Sequence, residues 1–271
     1  MNRKNRIKGV VSVVMAGLLF FACWQCREAN RAEAKAQELI DADKEEYVIY
    51  MPYYYDGKFT LATEDNKFYF IDKAGKKNEK LGEWEKIEQF DGYPGFAKVT
   101  NRGKTYLLDT LGNKYKYADN INNIDNTVEA LNLSYQKLLN FPAKIWELKN
   151  LKILKISSND LESLPPEIGK LTKLTWLDLY HNKLTDLPAE IWELTNLTTL
   201  CLTGNKLTSL PSGIGRLTNL TELYLDYNEL TSLPAEIGEL TNLTTLSLPF
   251  TNLPPEIWKL TNLFILQNFA A

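Results

Sequence analysis

The sequence predicts an α/β chain: a solenoid of short parallel strands and outer helices over its second half, preceded by a small antiparallel β region. Three observations predict it. A 23-residue unit recurs from 128 to 262 with leucines, an asparagine, a proline and an isoleucine in fixed phase. Within each unit an alternating segment gives way to helical spacing. Upstream lies a different repeat, of 37 residues, built of β-prone runs and polar turns.

The clearest unit is Leu174–Asn196, LTWLDLYHNKLTDLPAEIWELTN, followed in phase by 197–219 and 220–242. Two more fit at 128–150 and 151–173, a sixth at 243–262 is three residues short, and a fragment follows at 263–271. In the alternating part, Leu177 and Leu179 point one way while Trp176, Asp178 and Tyr180 point the other, which is one short strand per unit. Six strands stacked about 4.8 Å apart make an arc of roughly 25 Å. Asn159, Asn182, Asn205 and Asn228 recur where the chain must bend after the strand, with Gln136 in the first unit. A buried bend leaves backbone groups without partners, and a carboxamide supplies both donor and acceptor. In the second part, Leu187, Ile191 and Leu194 share a face, with Pro188 at the first helical position and Glu190 in the first turn, so short helices are expected on the convex side. Trp146, Trp192 and Trp258 occupy one convex position that glycine fills in three other units, which reads as flank packing.

The pattern LxxLxLxxNxLxxLPxxIxxLxx over 128–271 resembles the leucine-rich repeats, in the LPxxIxxLTNL style of plant and animal Ras-associated proteins and many bacterial proteins. The resemblance implies a right-handed horseshoe that serves as a scaffold for protein contacts, with no consensus residue acting chemically.

The 37-residue repeat aligns Phe59–Lys76 with Phe96–Asn113; Asp72 and Gly75 meet Asp109 and Gly112, a turn closing each second run. Two β-hairpins in a small antiparallel sheet are expected over 47–118. The units resemble WG-type bacterial β-repeats, with Phe68-Tyr69 and Thr105-Tyr106 where the Trp-Gly pair would stand; that resemblance implies no specific activity.

Residues 1–26 read as a targeting segment. Arg3, Lys4, Arg6 and Lys8 precede the uncharged, mostly apolar run Val10–Trp24, too short for a spanning helix of about 20 residues. Phe20-Phe21-Ala22-Cys23 resembles the lipobox of bacterial lipoproteins, which implies a lipid on Cys23. Cleavage near Ala32-Glu33-Ala34 or Ala34-Lys35-Ala36, or retention as an anchor, are the alternatives; each places the remainder outside the cytoplasm. Residues 27–46, charged and alanine-rich, read as a helical linker.

Bulk properties remove other classes. A net charge of −3, with no basic block beyond the first residues, gives no attraction to nucleic acid. Three cysteines cannot make a disulfide framework, and Cys23 and Cys26 lack a second ligand pair for a metal. One histidine, no phosphate loop, no HExxH and no GxSxG leave no catalytic set, no metal and no cofactor to name. Asp178 and Asp226 lie two strands apart, about 10 Å, too far for a hydrolytic pair. The Asn-x-Ser/Thr triplets at Asn132, Asn196, Asn219 and Asn242 are read as coincidence, since the repeat itself contains TNLT.

What remains variable lies on and just after each strand. Trp176, Tyr180, Tyr224, Tyr227 and Phe250 are aromatic there, and Asp178, His181, Glu222 and Asp226 stand among them. Clustered aromatics give large contact area at low entropic cost. These nine residues are the expected partner-binding face, on the concave side, for another protein; a carbohydrate ligand and a purely structural envelope role are the alternatives. Cys201 falls on the same face without an assigned role. The C-terminal run Leu260, Leu263, Ile265, Leu266 and Phe269 has no polar cap, so a homodimer through the last repeat stays open beside a makeshift cap.

Overall fold

The computed structural model describes residues 47–49, 60–64, 67–71, 76–89, 96–249 and 253–267. The targeting segment with Cys23, the linker 27–46, and Phe250 lie outside the described residues. Two compact units divide between Lys114 and Tyr115.

In the first unit, strands β1 (Tyr47–Ile49), β2 (Thr60–Glu64), β3 (Lys67–Ile71) and β4 (Glu83–Trp84) form one antiparallel set, and β5 (Lys86–Gln89), β6 (Phe96–Asn101) and β7 (Lys104–Asp109) another. Both expected hairpins are present, β2–β3 and β6–β7. Rather than sharing one small sheet, each pairs within its own set. Phe70, Leu81, Trp84, Ile87, Ala97, Val99 and Leu108 form the core that joins them. The Asp-x-x-Gly turn works through its side chain: Asp109 Oδ1 accepts from Leu111 N (2.9 Å) and Asn113 N (2.8 Å), while Gly112, at φ 85°, lies so close to the Lys80 carbonyl that a Cβ would meet it at 2.9 Å.

The second unit is a stack. β8 (Lys114–Ala118) precedes seven parallel strands, β9 (Ala130–Asn132), β10 (Ile153–Lys155), β11 (Trp176–Asp178), β12 (Thr199–Cys201), β13 (Glu222–Tyr224), β14 (Thr245–Leu248) and β15 (Phe264–Gln267). From β9 to β14 each residue pairs with the one 23 positions on. β8 joins in parallel through Tyr117 and Ala118, and Gln136 donates to the Asp119 carbonyl (3.2 Å), so 115–128 lies against the first repeat strand. At that entry Lys116 holds the Asp125 carboxylate (2.8 and 3.0 Å), which with Thr127 keeps the acid ionised well below the usual carboxylate range. At the far end Thr245 faces Phe264, so by strand register the sixth repeat is four residues short rather than three, and Ile265, not Leu266, lies opposite Leu246. Strand side chains alternate, so a slip of one residue exchanges faces.

The inward leucines and isoleucines form a continuous core through the stack. Repeats alone cannot bury this face; each does so only against its neighbours. The convex segments are five-residue 3-10 turns, Ala143–Glu147, Pro166–Lys170, Ala189–Glu193, Ser212–Arg216, Ala235–Glu239 and Pro255–Lys259. Proline therefore sits one place earlier than expected: Pro188 and its equivalents are N-caps, whose carbonyls accept from the isoleucine three residues on (Ile191 N to Pro188 O, 3.1 Å). Only Pro166 and Pro255 stand at the first helical positions.

The convex tryptophans follow a steric rule. A glycine at this position faces a glutamate of the next repeat: Gly169 faces Glu190, Gly215 faces Glu236, Gly238 faces Glu256, each with room for no Cβ beyond about 3 Å. Trp192 instead lies over Gly213 and is buried there, 3% exposed. Trp146 turns to stack on Phe141 (5.3 Å, 25°), and Trp258 is 81% exposed.

Candidate functional site

The predicted face divides by depth. Asp178 and Asp226 are buried rather than exposed, and so are Lys155 and Cys201, the strand neighbours of Asp178. Asp178 Oδ1 accepts from Tyr180 N (2.9 Å), as Asn132 Oδ1 does from Ser134 N (3.0 Å); at this position a short polar side chain ties down the start of the bend. Trp176, Glu222 and Tyr224 are half-buried. Tyr224 donates to Glu222 Oε2 (3.2 Å), and burial, then the Glu222 charge, push its phenol well above the usual value. The strand side chains are thus packed against one another along the sheet.

Exposure is concentrated at the exit of the strands. Tyr135 is 71% exposed, Tyr227 62% and Tyr180 43%, and His181 is also exposed. Tyr180 lies beside the His181 ring at 5.7 Å. Burial raises the Tyr180 phenol, with smaller contributions from Tyr135, Cys201, Tyr227 and Asp178.

The backbone explains why these side chains stand out. Tyr135, Ser158, His181, Gly204 and Tyr227 share one phase, and all have left-handed backbone, at φ 61°, 53°, 52°, 72° and 52°. From Ser158 on, each bend is closed by the asparagine that follows: Asn182 Nδ2 donates back to Leu179 O (3.1 Å) and Ile156 O (3.1 Å), while its Oδ1 accepts from Leu161 N (3.2 Å) of the preceding repeat. Asn159, Asn205 and Asn228 make the same links. In the first four, the N–H of the left-handed residue runs to the next repeat, as from His181 to Thr203 O (2.8 Å) and from Ser158 to Tyr180 O (2.8 Å). With the backbone spoken for, the side chain projects outward. A left-handed conformation costs about 1–2 kcal/mol for a residue with a Cβ. Glycine would avoid that cost, yet only Gly204 does so. Strain held at a row of bulky exposed side chains points to a use for them.

Tyr135 was not among the nine expected residues. Its signal was its phase, shared with His181 and Tyr227.

At the opposite ends of the strands lies a shallow groove of about 600 Å³, lined by Thr175, Thr198, Thr221, Asn196, Asn219 and Asn242 among others. Its polar groups serve the fold. Thr198 Oγ1 donates to Thr175 O (2.9 Å) and Asn196 Nδ2 to Thr172 O (2.8 Å), and the next repeats do the same. The repeated TNLT is therefore a second hydrogen-bonded ladder. Among the described residues no group of three metal-ligating side chains stands together, and no helix is long and apolar enough to cross a membrane.

Matches to family models agree with this architecture. A family model described as a leucine-rich repeat region matches residues 127–229, and one described as a leucine-rich repeat matches 219–240. No curated protein matches the chain. Among solved structures, a leucine-rich repeat protein of Leptospira interrogans is 31% identical, with 56% of this chain and 58% of that one covered and a TM-score of 0.36. An internalin of Listeria monocytogenes is 27% identical over 49% of this chain and 38% of that one, with a TM-score of 0.42. The repeat ectodomain of a plant membrane receptor kinase from Arabidopsis thaliana, in complex with a Casparian strip integrity factor, is 31% identical over 52% and 18%, with a TM-score of 0.47. The chain thus spans less than two thirds of each.

Proposed function

Residues 127–240 being a leucine-rich repeat region, we propose that the chain is a non-catalytic binding module that anchors another protein on the aromatic rim of its second unit. The observation that carries this reading is the set Tyr135, Tyr180, His181 and Tyr227, exposed together at the strand exits on a rigid, hydrogen-bonded frame. Tyrosine brings a large apolar ring and a hydroxyl at little entropic cost, as binding hot spots require. The half-buried Trp176, Glu222 and Tyr224 on the adjoining strands extend the surface inward. Placing it on the rim moves the expected site outward from Asp178 and Asp226.

Photo-crosslinking from position 181 in the full chain, with an aromatic photo-reactive residue in place of His181, is expected to capture a protein. Tyr135→Ala, Tyr180→Ala and Tyr227→Ala combined are expected to reduce capture at least tenfold. The unfolding midpoint should stay nearly unchanged, since exposed substitutions fall within about 0.5 kcal/mol each. Undiminished capture by the triple variant would remove the rim assignment.

The N-terminal sequence supports an extracytoplasmic location with a lipid on Cys23 holding the module to a membrane. Mass spectrometry of the mature N-terminus is expected to show a diacylglyceryl group on Cys23; an unmodified N-terminus beyond residue 26 overturns the lipid anchor.

A further inference from the structure

The rim row is not uniform. Read along the stack at the left-handed position, it runs Tyr135, Ser158, His181, Gly204, Tyr227: ring, gap, ring, gap, ring. Tyr180 stands beside His181 and broadens the central ridge. The gap at Gly204 is bounded by His181, whose Nδ1 lies 3.4 Å from where a Cβ would be. Successive repeats are one strand spacing apart, so the ridges recur every two strands, about 9.4–9.8 Å. That is close to the three-residue rise of a polyproline II helix, about 9.3 Å. An extended β-strand repeats its side chains every two residues, at about 6.6–6.8 Å, and does not match.

Charge agrees with the spacing. Along the two positions that form the rim in the first five repeats, the sole carboxylate is Asp226, and it is buried; no Lys or Arg is present. A charged partner strand would lose water there without gaining a counter-charge. A proline-rich strand brings apolar rings and backbone carbonyls that lack internal hydrogen bonds, and the tyrosine hydroxyls are donors for them.

We propose that the rim is a docking comb for a proline-rich segment of the partner protein, lying along the stack in polyproline II conformation. Its apolar residues, three apart, seat in the gaps at Ser158 and Gly204, between Tyr135, the Tyr180–His181 pair and Tyr227. This rests on the rim being the protein-binding surface, and it names the class of segment bound.

The test titrates the full chain against a fluorescently labelled proline decamer, read by anisotropy, with a Gly-Ser decamer and a chito-oligosaccharide as competitors. Saturable binding of the proline decamer is expected, with no displacement by either competitor. Tyr135→Ala and Tyr227→Ala should each weaken it at least tenfold. The sharper variant is Ser158→Tyr, which fills a gap with a side chain the fold already carries at this phase at φ 61° and 52°. It should fold with an unchanged melting curve and lose binding. No saturation by the decamer, or wild-type affinity in Ser158→Tyr, overturns the proposal. Displacement by the oligosaccharide replaces the proline strand with a glycan. If the decamer fails while crosslinked capture still depends on the rim tyrosines, the comb alone falls; if capture is also indifferent to them, the rim reading falls with it.

Discussion

Gly213→Glu is expected to lower the unfolding midpoint of the chain by roughly 10 °C, and in a Trp192→Gly background the same substitution is expected to be nearly harmless. A Cβ at 213 would lie 2.3 Å from Trp192 Cδ1 and 2.6 Å from its Cγ, so the indole must leave its seat. Overpacking of this kind costs about 1–3 kcal/mol, and losing a buried tryptophan about 3–5 kcal/mol. For a unit of this size each kcal/mol is worth about 2–4 °C. Trp146 tolerates Glu167 in the equivalent pair because it can swing onto Phe141. Trp192 has Leu187 at that phase instead of an aromatic ring, and so no second seat. With glycine at 192, glutamate at 213 recreates the pairing already present at Gly169–Glu190, Gly215–Glu236 and Gly238–Glu256. Chemical denaturation of the two single variants and the double gives the coupling energy, expected above about 2 kcal/mol. Simple additivity would mean that Trp192 and Gly213 do not depend on each other.

The same pair shows how much of this molecule can be read from its sequence. The phase of Leu177, Leu179 and Asn182 announces strand, core and bend, because each residue's role recurs unchanged every 23 positions. Phase also placed the three tryptophans on one convex flank. It could not say that one would be buried, one stacked and one exposed, since that depends on which residue the next repeat offers. The carboxylates failed for a related reason. Alternation puts Asp178 and Asp226 on the face opposite the leucines, but neighbours about 4.8 Å away on both sides can bury a short side chain that points outward. The left-handed bend was hidden by its occupants. Tyr, Ser and His do not signal positive φ, and only Gly204 hinted at it. Tyr135 was missed with it. Helices became 3-10 turns because a proline N-cap and five residues leave no room for a second turn, however helical the spacing of Ile191 and Leu194.

The second large effect is expected at Asn205. Asn205→Leu should cost about 3–5 kcal/mol, while Gln136→Ala, the same phase one end of the stack away, should cost less than about 1 kcal/mol. Asn205 is buried and joins three backbone groups: Nδ2 donates to Leu179 O (3.0 Å) and Leu202 O (2.9 Å), and Oδ1 accepts from Leu184 N (3.1 Å). A leucine fills a similar volume but strands all three away from water, at about 1–3 kcal/mol for each group left unsatisfied. Gln136 is exposed and its side chain donates only to Asp119 O, so water can replace it. Asn205→Asp separates shape from hydrogen bonding. It keeps the acceptor for Leu184 N but turns a second oxygen toward two carbonyls, and should be at least as damaging as leucine at neutral pH. The consequence for the rim is direct, because this bend carries Gly204 and lies between the strained backbones of His181 and Tyr227. Hydrogen exchange should therefore report early opening at the Leu184 amide in Asn205→Leu, and in both variants at the Gly204 amide, which donates to Asp226 O across the same bend. Protection equal to wild type there, with only a global loss of stability, would show that the asparagine ladder does not hold the bend that presents the aromatic side chains.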